Sequence, residues 1–226
     1  MTGDERRAMR ALLSDALTRA ILPGATPDPP GALPPTATAA DLVPRFVREL
    51  TAVGGQVHEP TVDDAASVAH IIAGLATGTA TKRALLWDDA CLPVVGLAAA
   101  LASLGFEIAR QHPDEVASAE SRARLALVDI GITGADAALA ETGSIVLASG
   151  PGRGRLVSLL PPVHVALVRR TSMIWSLPDL LATRPDLAVA GSNLVCITGP
   201  SRTADIEHTL SRGVHGPREV HVVLVG

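Results

Sequence analysis

The chain has 226 residues, 47% of them apolar, and a formal charge of −4 at pH 7. That length suits one domain with a sizeable core, and the mild acidity gives no reason to expect a nucleic acid as partner. Aromatics make up only 2%, with no tyrosine, so Leu, Val, Ile and Ala must do the packing. The two cysteines, Cys91 and Cys196, lie far apart, without the spacing of a metal site, and read as free thiols. Lys82 is the only lysine, which leaves one internal candidate for Schiff-base chemistry.

Met9, Leu12, Leu13, Ala16 and Leu17 recur at helical spacing and predict a helix over 4–22. Six prolines in 23–35 make an extended connection, so residues 1–35 read as a helical arm and linker and 36–226 as the folded domain. The opening MTGDERRAMR has no apolar leader, and the longest apolar run, 93–106, is too short for a bilayer, so a cytoplasmic protein is expected.

From Asp41 onward, helix 41–53 leads to strand 55–58, helix 62–77 to strand 83–87, and helix 92–104 to strand 105–109. Helix 114–121 precedes strand 124–129, and helix 134–141 precedes strand 144–148. Strand 163–168 and helix 176–183 follow. The C-terminal stretch reads as strand 193–198, a Gly199-Pro200 turn, a helix with Thr203 as N-cap and Gly213 as C-cap, and a final strand 219–225. Repeated βα units predict an α/β fold with a mostly parallel sheet and helices on both faces. Ligands of such sheets gather beyond the carboxyl ends of the strands, where 129–133, Arg169-Arg170 and 199–202 would meet.

Several residues are candidates for chemistry. The predicted helix after the Gly-Pro turn would place Ser201, Arg202 and free N–H groups around an anion. Thr133 and Asp136 have capping-box spacing, a structural reading. Glu141 would face the negative end of the predicted helix 134–141, against its preference, and reads either as a functional carboxylate or as a solvated surface glutamate. Gly150–Arg155 holds Arg153 and Arg155 in a glycine-rich loop that either grips a carboxylate or phosphate or merely covers surface. Asp88-Asp89 either holds a magnesium ion or ends a strand in solvent, and no histidine has metal spacing. Ser144 lacks the flanking pattern of a hydrolase elbow.

Three stretches carry a family resemblance: GITGADAALAETGSIVL at 131–147, GRGRLVSLLPPVHVALV at 152–168, and ITGPSRTADIE with GVHGP near the C-terminus. Over residues 120–226 the chain resembles the lactate-utilisation (LUD) domain family, protein C subtype. The resemblance implies a NagB/RpiA/CoA-transferase-like fold and a component of a system that oxidises L-lactate to pyruvate. It also implies cysteine-rich partner subunits carrying the iron–sulfur clusters. Two cysteines cannot supply the usual four thiolates, so no cofactor and no metal are expected in this chain. Glu141-Thr142-Gly143 is similar to the nucleophile step of CoA transferases without the full motif. Hence two alternatives stand beside the first: a stand-alone acyl- or phosphate-ligand transferase using Glu141, and a non-catalytic assembly subunit.

The site expected from all this is one pocket at the carboxyl edge of the sheet, built from Glu141, Thr142, Arg153, Gly199, Ser201, Arg202 and His215. Ser201 and Arg202 would hold a small carboxylate, Arg153 would close over it, and Glu141 or His215 would move a proton.

Overall fold

A computed structural model describes residues 9, 11–12, 15, 39–76, 82–111, 125, 127–189, 191, 193–204, 210–213 and 215–226. By compactness the chain divides into two units, 1–36 and 37–226. In the first, Met9, Ala11, Leu12 and Asp15 are helical. The rest of the expected helix 4–22, and the linker 23–35, lie outside the described residues.

The second unit opens with α1, Ala39–Ala52, whose Phe46 and Leu50 sit one turn apart and are fully buried. Next come β1 (Gln56–His58), α2 (Ala65–Leu75) and β2 (Lys82–Leu86). Asp64 caps α2, accepting a 2.7 Å bond from the Ser67 N–H. The helix expected over 92–104 is cut to α3, Leu97–Ser103, because Gly96 takes a left-handed conformation just before it. β3 is Phe106–Arg110; the helix expected over 114–121 lies outside the described residues.

β4 (Ile130–Gly134) pairs with β2 on one side and with β7 (Val163–Arg169) on the other. The last strand, β12 (Glu219–Val225), then joins β7 to β1. The result is a six-stranded, wholly parallel sheet in the order β1-β12-β7-β4-β2-β3. The adjacent interior strands β7 and β12 read as nearly continuous apolar runs, as strands covered on both faces must. At β4, Gly131 faces the carbonyl of Val157 and Gly134 faces that of Cys91, three residues apart and so on opposite faces. An α/β fold with a parallel sheet is therefore what the sequence forms.

A second sheet, β8-β5-β6-β9, uses β5 (Ala137–Leu139), β6 (Ser144–Ser149), β8 (Met173–Ile174) and β9 (Asn193–Ile197). It packs with α4 (Leu177–Thr183) around its own small core of Ala137, Leu139, Val146, Ala148, Leu180 and Leu187.

Three expectations are corrected. Leu125 is helical and 127–129 are not strand; the strand begins at Ile130, and Asp129 instead turns its carboxylate to the Arg83 N–H at 2.8 Å. No helix occupies 134–141. Ala137, Ala138 and Leu139 are β5, paired antiparallel with Val146, Ile145 and Ser144, since burial in the second sheet outweighs the helix preference of alanine. Nor, among the described residues, does a helix follow the Gly-Pro turn: Arg202–Ala204 (β10) and Leu210–Arg212 (β11) form an antiparallel pair. Residues 205–209 and 214 lie outside the described residues.

Among the described residues no helix is long and apolar enough to cross a membrane. No group of three or more His, Cys, Asp or Glu side chains among them is placed to hold a metal ion.

Candidate functional site

A cleft of about 470 Å³ opens where β4 and β7 end, at the carboxyl edge of the parallel sheet. Arg153, Arg169, Arg184 and Asp136 line it, with Cys91 and the Gly134 backbone on its wall. Each side chain reaches it by a local necessity of the fold. Arg169 is the last residue of β7, delivered to the edge by the apolar run before it. Asp136 sits in the step from the parallel sheet to β5, where its Oδ2 accepts the Ala148 N–H at 2.7 Å. Its Oδ1 accepts from Arg153 Nη1 at 2.6 Å. The guanidinium of Arg153 also lies over the Trp87 ring, 5.6 Å from its centroid, and the Trp87 indole N–H donates to the Gly154 carbonyl at 3.1 Å. Burial works against the charge of Arg153, but contacts with Cys91 and Asp136 outweigh it and hold its pKa above the ordinary value.

Arg184, after α4, is held by Asp186 at 2.8 Å, an exposed pair that contributes little to stability. Arg169 has no carboxylate partner among the described residues. The arrangement is a cationic hollow with one guanidinium clamped, one tethered and one available.

The seven residues expected to share a pocket do not meet there; Arg153 alone lines this cleft. Ser201 donates its N–H to Pro217 O at 2.9 Å, and Arg202 donates to the Val53 carbonyl. Pro217 and Val53 shortly precede β12 and β1, so Gly199, Ser201 and Arg202 lie at the amino edge, roughly 20 Å away along the seven residues of β7. His215 is exposed, and its neighbour Gly216 packs beside Ser201. Glu141 stands exposed in the turn between β5 and β6, its N–H bound to the Trp175 carbonyl at 2.9 Å. With no helix there, the dipole argument for Glu141 falls away. Thr142 joins Ser144 at 2.7 Å, and Ser144 joins Thr198 at 2.7 Å, a hydroxyl chain that ties the turn to the end of β9.

Two further histidine arrangements stand apart from the cleft. His164 is fully buried in β7, with Nε2 2.9 Å from Thr133 Oγ1 and Nδ1 without a partner. Burial, reinforced by the nearby His221, pushes its pKa down to about 3. His58 Nε2 lies 3.0 Å from His221 Nδ1, and His221 Nε2 lies 3.2 Å from Glu219. Burial lowers the pKa of both rings.

The model of the LUD domain family matches residues 43–225, nearly the whole folded unit. The chain belongs to the LUD domain family. It is 33% identical over 149 residues to Lactate utilization protein C of Shouchella clausii, covering 64% of this chain and 62% of that one. To the protein of the same name from Deinococcus radiodurans it is 29% identical over 198 residues, covering 87% and 88%. To the one from Halalkalibacterium halodurans it is 42% identical, over 43% of this chain. The aligned stretch spans only 44% of that last relative's length. A crystal structure of a DUF162 family protein from Deinococcus radiodurans shares the fold, with a TM-score of 0.60 and 24% identity over 84% of this chain and all of that one.

Seen on this LUD domain, the blocks that carried the resemblance do different work. The turn at 141–143 is a packing device: Gly143 has φ +65°, and a Cβ there would lie 2.2 Å from the Leu50 nitrogen of α1. The end of the first block, Gly134, Ala135 and Asp136, by contrast, lines the cleft. Arg184 and Cys91 carried no sequence signal, whereas Arg169 had one, a charged pair closing an apolar strand.

Proposed function

We propose that this LUD domain serves in lactate utilisation as an anion-binding component, with the arginine cleft as its working site. The support is twofold: relatives named for lactate utilisation, and a cationic hollow at the edge of the sheet where α/β folds bind ligands. The observation that carries it is Arg169, a guanidinium at the end of β7 with no carboxylate partner among the described residues. In this reading Arg169 takes a carboxylate through two parallel N–H bonds, and Arg153, fixed by Asp136 and Trp87, supplies a second donor face. Oxidation of L-lactate to pyruvate releases two electrons and two protons. We assign the redox groups to cysteine-rich iron–sulfur partner subunits, because two cysteines are too few to ligate a cluster here.

The test is capture of the tagged chain from its native host, followed by mass spectrometry and iron analysis. Co-purification of cysteine-rich, iron-bearing subunits from lactate-grown cells, and their absence from a mock capture of untagged cells, is the expected result. Recovery of the chain alone from lactate-grown cells would overturn the partnership.

A further inference from the structure

We propose that the cleft takes an organic diphosphate, a ligand larger than lactate, whose two phosphates bridge Arg169 and Arg153. This rests on the reading of the cleft as the domain's anion site and narrows what occupies it.

Charge is the first argument. Across the cleft and the two hollows that adjoin it, four guanidinium groups (Arg153, Arg155, Arg169 and Arg184) stand against two carboxylates, Asp136 and Asp186, a formal surplus of two positive charges. Asp136 is already committed to Arg153 and to the Ala148 N–H, and Asp186 to Arg184. A single monocarboxylate would engage Arg169 and leave one positive charge uncompensated. A diphosphate brings at least two negative charges and enough acceptor oxygens to occupy two guanidinium forks.

Size is the second. Lactate has six non-hydrogen atoms, so at ~30 Å³ for each water-sized group it fills at most roughly 180 Å³. The cleft measures about 470 Å³. It shares Asp136, Arg153 and Arg184 with an adjoining hollow of about 310 Å³. That hollow in turn shares Ser149–Pro151 and Arg153 with a third, of about 360 Å³, walled by the Gly150–Arg155 loop and Gln111. Arg153 borders all three, at the hub of one branched groove.

The walls are the third. Gln111, on the wall of the third hollow, uses its Oε1 to accept the Leu156 N–H at 2.9 Å, and among the described residues its amide N–H₂ has no partner. With Arg155 beside it, that branch sets hydrogen-bond donors into a lining that is otherwise mainly apolar, which suits an organic remainder with both polar edges and apolar faces.

Cys91 on the cleft wall serves as the reporter, and the exposed Cys196 on β9, outside the groove, as the reference. The full chain is treated with iodoacetamide in the presence of ADP, inorganic pyrophosphate or L-lactate, and alkylation at each cysteine is read by peptide mass spectrometry. At ten times its Kd, a diphosphate should slow alkylation of Cys91 roughly tenfold and leave Cys196 unchanged. At the same ligand concentration Arg169→Ala should cut the protection to about twofold or less without moving the melting temperature. Calorimetric titration with the same three compounds gives a second readout independent of thiol reactivity. Binding of L-lactate but of neither diphosphate overturns this proposal and leaves the anion-site reading standing. Binding of none of the three overturns both. Full diphosphate binding by Arg169→Ala overturns the bridging arrangement.

Discussion

Replacing Asp136 with alanine tests whether one carboxylate holds the cleft together. In the native structure its Oδ2 takes the Ala148 N–H and its Oδ1 takes Arg153. Ala148 is 4% exposed, so without Asp136 its N–H is left buried and unpaired, at a cost of about 1–3 kcal/mol. The Arg153 side chain is 35% exposed, so the ion pair itself adds only about 0.5–1 kcal/mol once solvent screening is allowed for. The sum, about 3 kcal/mol, corresponds to a fall of roughly 6–12 °C in melting temperature for a unit of this size. Asp136→Asn keeps an acceptor for Ala148 but turns an amide toward Arg153, so it should lose about a third to a half as much. Thermal unfolding followed by circular dichroism reads both. A melting temperature for Asp136→Ala within ~2 °C of the wild type would refute the clamp, because no arrangement with an orphaned Ala148 N–H is that stable.

Three further outcomes follow from the same geometry. Arg169→Ala should weaken binding of whichever anion the wild type takes up, pyrophosphate or L-lactate, by ~1.5–3 kcal/mol, about ten- to a hundredfold in Kd, and calorimetric titration checks it. His164 titrates near 6.5 when unfolded and about 3 when folded, so its contribution is intact above pH 6.5 and is lost as pH falls toward 3. Between pH 7 and pH 5 this removes about 2 kcal/mol of stability, and His58 and His221 act in the same direction. Denaturant melts at the two pH values test it, and His164→Gln should flatten the slope. Gly143→Ala should cost more than ~2 kcal/mol, since the added methyl meets the α1 backbone and the left-handed conformation itself disfavours it; a melting curve equal to wild type would contradict the packing.

The parallel sheet was legible because its strands are unbroken apolar runs: 163–168 and 219–225 match β7 and β12 nearly residue for residue. What misled was glycine and alanine. Gly131 fell in the expected connection 130–133 and Gly134 at the head of the expected helix 134–141, yet both sit inside β4, where neighbouring carbonyls approach too closely for a side chain. Ala137 and Ala138 favour a helix locally, but only a strand buries them against Ile145 and Val146. Thr203 looks like a helix N-cap, a purely local signal that cannot register the pairing of Arg202 with Arg212. Ser201 and Arg202 were expected at the carboxyl edge because 193–198 read as one more parallel strand, whereas β9 pairs antiparallel with β6 in the second sheet. Arg153 was visible because glycines flank it; Arg184 was not, because nothing near it in sequence announces the cleft it shares with β4 and β7.

Growth on L-lactate decides whether the arginine cleft is the working site. A host deleted for its own lactate utilisation protein C is complemented with the wild-type chain, with Arg169→Ala, and with Arg153→Ala plus Arg169→Ala, each checked for equal soluble protein. Growth is expected with the wild type, slowed growth with the single variant and none with the double. Growth of the double variant at the wild-type rate would contradict the claim that the arginine cleft is the working site.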